Sequence, residues 1–293
     1  MITIAIPCYR PNLNYLEQAI NSVANQSLDC YELLIVDGGE DPNPDLQKLA
    51  MKYKNISLRY IYNTSDRTMA GNWNFAITSS QTDLVTLLHS DDLLCADYIL
   101  KMKALADTRP DVSAFFCGAT IVDEASSKII SFPDLVKNFI RPRTRLIDLQ
   151  GEQGIISLLK GCYVFCPTIC YRKSLLGKCV FNKKWKMVTD FQFYIDLLAA
   201  DKKILGVRDK LYYYRRHKEN QTSKLTVNCE RFTEEVAIYN QVSNLFSARP
   251  RVKRIASKKR IIKLHLLFLT VKNILFFRFK LAYRYFQFLI TFV

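Results

Sequence analysis

The stretch that decides the fold is residues 2–39, ITIAIPCYRPNLNYLEQAINSVANQSLDCYELLIVDGG. Residues 2–9 form a short apolar run that leads into a polar loop, as a buried strand of a parallel sheet does. Apolar residues then recur at helical spacing over residues 12–25. Residues 32–36 are a second buried strand, and this strand leads directly into Asp37. The order strand, helix, strand predicts a parallel sheet whose strands are joined by crossover helices.

The same alternation continues along the chain. Further strands are predicted at residues 57–62, 83–88 and 112–122, and helices at residues 69–79, 95–106 and 190–200. Residues 124–160 are less regular and are expected to form a loop and a helix over the sheet, whereas residues 161–171 and 204–214 have strand-like patterns. These elements predict an α/β fold with a mostly parallel sheet flanked by helices. The carboxyl ends of its strands meet at one edge, where such folds bind ligands.

Acidic residues follow two of the predicted strands. Asp37 comes after LLIV, and the pair Asp91 and Asp92 comes after LVTLLHS. Carboxylates at this edge converge on the ligand crevice, where hard oxygen ligands suit Mg²⁺ or Mn²⁺ bridged to phosphate oxygens. The alternative interpretation is that Asp91 caps the helix that begins near residue 95.

A second group of polar residues lies in residues 185–223, WKMVTDFQFYIDLLAADKKILGVRDKLYYYRRHKENQTS. Asp190 opens an amphipathic helix beside aromatic side chains, and an acidic residue in such surroundings is a candidate general base. Helix capping is the simpler alternative for this residue. The block ends with His217 after two arginines, a position where a histidine is usually solvated or hydrogen-bonded.

Four stretches, taken in order, resemble the inverting family-2 glycosyltransferases, which have a GT-A, Rossmann-like fold. They are residues 2–39, residues 60–92 (YIYNTSDRTMAGNWNFAITSSQTDLVTLLHSDD), residues 188–204 (VTDFQFYIDLLAADKKI) and residues 212–223 (YYYRRHKENQTS). The resemblance implies transfer of a sugar from a nucleoside-diphosphate donor, with a UDP-sugar expected, to an acceptor hydroxyl. It further implies inversion of the anomeric centre and Mn²⁺ or Mg²⁺ as the cofactor.

The resemblance assigns the donor site to residues that follow the predicted strands. It implies that Pro7, Cys8 and Tyr9 form the wall around the nucleotide base. Asp37 matches a position beside the base and the ribose. Asn72 belongs to the stretch that matches the helix on the phosphate side of the family's site.

The resemblance also implies roles for the residues around the reacting bond. Asp190 matches the catalytic base. Asp92 matches the direct metal ligand, and Asp91 matches a residue that holds the ribose or assists the metal. His217 matches a further metal ligand or a contact to the diphosphate.

Basic residues and two departures complete the comparison with the family pattern. Arg215 or Arg216 is expected to neutralise the diphosphate. Many family members have a second aspartate after the position of Asp37, but Gly38 stands there in this chain, so the identity of the base stays open. His89 stands where a longer acidic motif begins, and we expect it to support the metal ligands and not to bind the metal itself.

The positive charge of the chain is concentrated at its C-terminus. The chain has 42 Lys and Arg against 27 Asp and Glu, a net charge of +15, and residues 249–293 hold twelve of the basic residues and no acidic one. We therefore predict a glycosyltransferase domain at residues 1–248 and a basic amphipathic helical tail at residues 249–293. The tail is expected to lie on an anionic membrane surface. A helical hairpin that closes against the body, or a dimer interface, is the alternative.

The expected location is the cytoplasmic face of the cell membrane. The nine cysteines lie mostly within apolar runs, which is typical of free thiols in a reducing compartment. Cys162, Cys166 and Cys170 recur every four residues, and a buried thiol cluster is favoured over a metal site. The resemblance favours a lipid-linked saccharide as the acceptor, in the synthesis of a surface polysaccharide such as O-antigen or capsule.

Two other classes of function compete with this interpretation. The basic tail is also typical of a nucleic-acid-binding protein, but residues 1–248 are nearly neutral and the tail is too apolar for tracking phosphates, so no nucleic-acid partner is expected. Gly38 and His89 leave open a catalytically degenerate binding module of the same fold.

Overall fold

In the computed structural model, residues 1–29, 31–130, 132–217 and 225–293 are described, with only the backbone for residues 132–134, and they form one sheet of nine strands flanked by helices. The strands are β1 (Ile2–Cys8), β2 (Tyr31–Asp37), β3 (Leu58–Tyr62), β4 (Leu84–Leu87), β5 (Leu93–Leu94), β6 (Ala114–Val122), β7 (Leu146–Leu149), β8 (Ile169–Arg172) and β9 (Ile204–Arg215). The helices are α1 (Leu13–Ala24), α2 (Pro44–Lys52), α3 (Met69–Ser79), α4 (Tyr98–Thr108), α5 (Phe132–Ile140), α6 (Gly151–Leu159), α7 (Lys173–Leu176), α8 (Thr189–Ala199), α9 (Glu230–Leu245), α10 (Pro250–Lys258), α11 (Arg260–Leu275) and α12 (Phe279–Phe292).

The sheet is mostly parallel, as predicted. Its strand order is β3-β2-β1-β4-β8-β6-β9-β5, and β7 pairs with β9 outside this path. Strands β1 to β4 are parallel neighbours, and β6 is parallel to β9. The antiparallel strands are β8, between β4 and β6, and the short strands β5 and β7 beside β9. The predicted α/β class is therefore confirmed, and the carboxyl ends of β1, β2 and β4 share one edge.

Side chains of β1 alternate between two hydrophobic clusters. Ile4 and Ile6 belong to one cluster and Ala5 to the other, and all three are fully buried. This alternation follows from the period of two along a strand, and burial of both faces explains why the strand is a continuous apolar run. Helix α1 packs against the first cluster through Leu16 and Ile20, each of which stabilises the fold by about 1.5–3 kcal/mol on burial.

Local structure differs from the prediction in several places, among them the unpredicted strands β5 and β7, and two of the differences have a clear local cause. Helix α2 follows β2 although no helix was predicted there; Asn43 caps it by accepting a hydrogen bond from the backbone N–H of Asp45 (2.9 Å), and Pro44 occupies its first turn. Within residues 161–171, the strand begins only at Ile169. A short 3₁₀ turn with Pro167 precedes it, because proline has no N–H to donate to a neighbouring strand.

The C-terminal helices pack against the body of the chain. Val252, Ile262, Leu266 and Tyr285 are buried in the same hydrophobic cluster as Phe193 of α8. The predicted boundary before residue 249 falls in the short connection between α9 and α10. None of the helices in the described part of the chain is long and apolar enough to cross a membrane. The tail therefore shares its core with the sheet domain.

Candidate active site

A large cavity lies at the carboxyl edge of the sheet. Its volume is about 1700 Å³, and residues from β1, the loop after β4, the start of α8 and the end of β9 line it. The predicted site residues on its wall are Pro7, Cys8, Tyr9, Asn72, Asp91, Asp190, Arg216 and His217. The sequence positions that were predicted from distant stretches are therefore brought together at one cavity.

Asp91 lies on the cavity wall, where the chain leaves β4. Its Oδ2 is 2.7 Å from Nε2 of His217, which follows β9. Burial raises the pKa of the Asp91 carboxyl, but the hydrogen bond from His217 and the charges of both neighbouring histidines outweigh burial and lower it. The same hydrogen bond raises the pKa of His217. The two residues form an ion pair that faces the cavity.

Asp92 points away from the cavity into the protein. It is 1% exposed, its Oδ1 accepts a hydrogen bond from the backbone N–H of Arg215 (2.7 Å), and its Oδ2 accepts one from the Tyr212 hydroxyl (3.0 Å). Burial, followed by the charge of Asp91, raises the pKa of this carboxyl well above its ordinary value. Asp92 thus ties the loop after β4 to the end of β9, and it does not line the cavity wall.

Arg215 is fully buried behind the wall. Its guanidinium donates to the backbone oxygen of Asp91 (2.7 Å), to the backbone oxygen of Glu124 (3.0 Å) and to Oε1 of Gln18 (2.8 Å). The guanidinium also lies over the ring of Tyr15, 4.5 Å from its centroid. Of the two arginines predicted to contact the diphosphate, the structure places Arg216 on the cavity wall and Arg215 in the layer that supports it.

A group of possible metal ligands surrounds Asp91. One ligand atom from each of His89, Asp91 and Asp92 lies within 4.8 Å of the others. Among the described residues, these three form the group that could bind a metal ion. His89 Nε2 is buried and finds no hydrogen-bond partner among the described residues. Two carboxylates and an imidazole suit Mn²⁺ or Mg²⁺. The residues present therefore fit a divalent cation, and the sequence had not predicted His89 as a ligand.

Asn72 lines the cavity beside β1 and β2, whereas Asp37 lies behind the wall. Asp37 is buried, and its carboxylate accepts hydrogen bonds from the backbone N–H of Asn43 (2.7 Å) and the Tyr60 hydroxyl (2.7 Å), so it is not on the cavity wall. A Cβ on Gly38 would lie 2.8 Å from the amide group of Asn72. A side chain at position 38, such as the family's second aspartate, would therefore require the Asn72 amide to shift.

Asp190 lies on the cavity wall in the first turn of α8. Its Oδ1 accepts a hydrogen bond from the backbone N–H of Phe191 (2.8 Å). Burial raises the pKa of the Asp190 carboxyl, and the Phe191 N–H, Lys137 and Arg231 oppose this shift only in part. A carboxylate whose pKa is raised is a stronger base than an ordinary one, which suits the predicted role.

The cavity wall also contains residues for which the sequence showed no signal. Lys137 comes from α5, Arg231 from α9, and His265, Leu269 and Lys272 from α11 of the tail. None of these residues belongs to a motif, and the packing of α5 and of the C-terminal helices brings them to the site. Cys162, Cys166 and Cys170 are free thiols, of which Cys170 is buried and the other two are partly buried.

Comparison with known proteins shows which family the chain resembles. The family model described as glycosyl transferase family 2 matches residues 3–165. The minor teichoic acid biosynthesis protein GgaA of Bacillus subtilis is 27% identical over 233 residues, which cover 76% of this chain and 48% of that protein. An uncharacterized glycosyltransferase of Methanocaldococcus jannaschii is 18% identical over 77% of this chain and 74% of its own length. The chain thus spans about half the length of GgaA.

Solved structures share the fold. TarS 1-349 of S. aureus in complex with UDP-GlcNAc superposes with a TM-score of 0.62 at 17% identity, covering 83% of this chain and 66% of that one. The mannosyltransferase PcManGT of Pyrobaculum calidifontis in complex with GDP-Man and Mn²⁺ has a TM-score of 0.61 at 17% identity, covering 90% and 70%. At this level of identity the likeness shows the fold.

Proposed function

The chain belongs to glycosyl transferase family 2, and from that premise we propose that it transfers a sugar from a nucleoside-diphosphate donor to an acceptor hydroxyl, with inversion of the anomeric centre. The observation that supports this most is a single cavity whose wall contains both the Asp91–His217 pair and Asp190. The complexes of structural neighbours with UDP-GlcNAc and GDP-Man support a nucleotide-sugar donor. We expect a UDP-sugar.

The donor occupies the part of the cavity at the ends of β1 and β4. Pro7 and Tyr9 flank the nucleotide base, and Asn72 lies beside the phosphates, since all three line the cavity. Asp37 acts from behind the wall, where it holds the backbone of the loop after β2. Arg216 is the arginine placed to contact the diphosphate, because Arg215 is buried.

A divalent cation, Mn²⁺ or Mg²⁺, belongs to the donor side of the site. Asp91 is the carboxylate that reaches it from the cavity wall, and His217 holds this carboxylate by a hydrogen bond. His89 and Asp92 have ligand atoms within 4.8 Å of it, and Asp92 also supports the loop from behind. The sequence had assigned the direct metal contact to Asp92, and this proposal gives it to Asp91. When bound, the cation supplies positive charge that offsets the charge developing on the leaving diphosphate. The residues themselves position the donor.

Asp190 acts as the general base. Its carboxylate removes the proton of the acceptor hydroxyl as that oxygen attacks the anomeric carbon, and the bond to the diphosphate breaks on the opposite face. The raised pKa of Asp190 strengthens it as a base, and its place on the wall of the shared cavity brings it to the acceptor side. Such a base typically contributes about 10²–10⁴-fold to the rate.

A screen of nucleoside-diphosphate sugars tests the proposal directly. A saturating donor at about 100 times its Kd stabilises a protein by about 2.7 kcal/mol, so the correct UDP-sugar should raise the melting temperature in the presence of Mn²⁺. Slow metal-dependent hydrolysis of the same donor is also expected. A chain that binds a donor but never hydrolyses or transfers it is the degenerate module, and a chain that binds no nucleotide sugar contradicts the proposal.

We further propose that the tail lies on an anionic membrane surface, where a lipid-linked saccharide in surface polysaccharide synthesis, of the O-antigen or capsule kind, is the acceptor. Helices α11 and α12 and the turn between them expose large apolar side chains, among them Leu275, Phe276, Phe277, Phe279 and Ile290. Exposed basic residues lie close to them in sequence at Lys272, Arg278 and Lys280, and apolar burial with cationic charge is typical of membrane-surface helices. The teichoic acid relative supports a surface polymer as the product.

Flotation with anionic liposomes tests the membrane proposal. Phe277, 82% exposed, and Phe276, 64% exposed, are changed to serine, and Met51→Ser serves as the control, since Met51 is 69% exposed on α2 of the body. Wild type and the control should float, and the double variant should float less. Salt-sensitive binding of wild type to DNA or RNA, with no flotation, would instead support the nucleic-acid interpretation.

A further inference from the structure

A second pocket lies beside Asp190, and its occupant is not explained by donor binding. Its volume is about 450 Å³, within the range of ligand pockets, and helices α5, α9 and α11 enclose it. We propose that it binds the hydrocarbon chain of an acceptor in which a phosphate joins that chain to the saccharide. This inference rests on the proposed function, and it names the chemical class of the acceptor and the place that holds it.

The wall of the second pocket is mainly hydrocarbon. Val136 and Ile140 come from α5, Ile238 from α9, and Leu264 and Phe268 from α11. Side chains of this kind release ordered water when a hydrocarbon chain covers them, at about 25 cal/mol for each Å² of apolar surface. A bare sugar would leave its hydroxyls without partners against such a wall. The lining therefore favours an apolar chain over a saccharide.

Charged residues mark the junction between the two cavities. Asp190, Lys137, Arg231 and His265 line both of them. Arg231 also pairs with Glu235, 2.8 Å away, on the same helix. Two cations beside the base fit a phosphate group, which two charged donors can hold by charge-assisted hydrogen bonds. A phosphate at this junction would place an acceptor hydroxyl near Asp190 and the chain in the pocket.

The pocket is continuous with the exposed apolar surface of the tail. Leu264, which lines the pocket, is 62% exposed, and on the same helix Leu267 and Val271 are 49% and 48% exposed. Exposed apolar side chains of α11 therefore lead from the mouth of the pocket to Leu275 at the end of the helix. This continuity and the two cations favour a lipid phosphate over a second copy of the protein as the occupant.

Farnesyl phosphate, a soluble isoprenoid phosphate, is the probe for this pocket. Calorimetry with the full chain should show binding that is at least tenfold tighter than binding of farnesol, which lacks the phosphate, or of inorganic phosphate, which lacks the chain. Val136→Trp fills the pocket and should weaken binding at least tenfold. Leu135→Trp is its control, because Leu135 is the next residue on α5, is 51% exposed and does not line the pocket.

A second pair of variants covers the case in which Val136→Trp fails to fold. Leu264→Asp places a charge at the exposed mouth of the pocket and should weaken binding, whereas Leu100→Asp, at a 44% exposed leucine of α4 in the body, should not. Lys137→Gln should weaken the binding of farnesyl phosphate but not the binding of farnesol. Equal binding of farnesol and farnesyl phosphate, or unchanged binding in Leu264→Asp, overturns the inference.

Measuring nucleotide-sugar binding beside probe binding distinguishes failure of this inference from failure of the proposed function. If wild type is stabilised by a nucleotide sugar but does not bind farnesyl phosphate, the inference is overturned and the glycosyltransferase proposal stands. If wild type binds no nucleotide sugar, the proposed function fails whatever the probe does. Binding of both ligands at once, with each pocket variant affecting only the probe, supports the inference.

Discussion

The two acidic regions of the cavity differ in how their carboxylates are held. Asp91 and Asp92 lie between β4 and β9, and each is tied to a residue of the other strand's end, His217 and Arg215. Asp190 accepts a hydrogen bond from its own helix, and burial raises its pKa. The hydrogen bond from His217 helps keep the pKa of Asp91 low, so this carboxylate keeps its charge, whereas burial raises the pKa of both Asp92 and Asp190. The comparison supports the proposed division of binding, support and proton transfer among the three aspartates.

The largest effect is expected from Asp190→Asn, which removes the base and leaves the donor side intact. Transfer should fall by about 10²–10⁴-fold, while donor affinity measured by calorimetry stays close to that of wild type. Asp196→Asn is the matched control, because Asp196 lies on the same helix, pairs with Gln192 and does not line the cavity. Near-normal transfer by Asp190→Asn would remove Asp190 from the mechanism.

Asp91→Asn and Asp92→Asn should separate an effect on donor binding from an effect on the stability of the fold. Asp91→Asn should weaken Mn²⁺-dependent donor binding by about tenfold or more with little change in melting temperature. Asp92→Asn should destabilise the fold by about 1–3 kcal/mol, because an amide cannot accept both hydrogen bonds from Arg215 and Tyr212 as well as a carboxylate does. Calorimetry and thermal unfolding of both variants check this. The reverse result would restore Asp92 as the direct ligand.

The smallest expected effect is on the pH dependence of activity, which reports the pKa of Asp190. The base must be deprotonated to act, so activity should fall as pH falls through its raised pKa, at a higher pH than the ordinary value of about 3.9 for aspartate. Lys137 lowers this pKa, so Lys137→Gln should move the acid limb of kcat/KM to still higher pH. An acid limb that does not move in Lys137→Gln would mean that another group sets it.

Much of the fold followed from local pattern. The strands around Asp37 and Asp91 and the helix from residue 12 could be predicted, since buried strands and amphipathic helices have characteristic periods. The helix from Pro44 was missed because its signal is a cap and a proline and not a long periodic run. Residues 161–168 were predicted as a strand because their apolar pattern is typical of one. Residues Cys166–Thr168, which include Pro167, form a 3₁₀ turn instead.

The sequence by itself determined the α/β class, because strand order is a property of the chain, and its motifs and family resemblance predicted Asp91, Asp190 and His217 as site residues. Only the tertiary structure decided that Asp91 lines the cavity while Asp92 is buried, since that depends on how the end of β9 contacts the loop after β4. It also decided which cations surround Asp190. These come from helices distant in sequence, and their contacts form only when the core that joins them is buried.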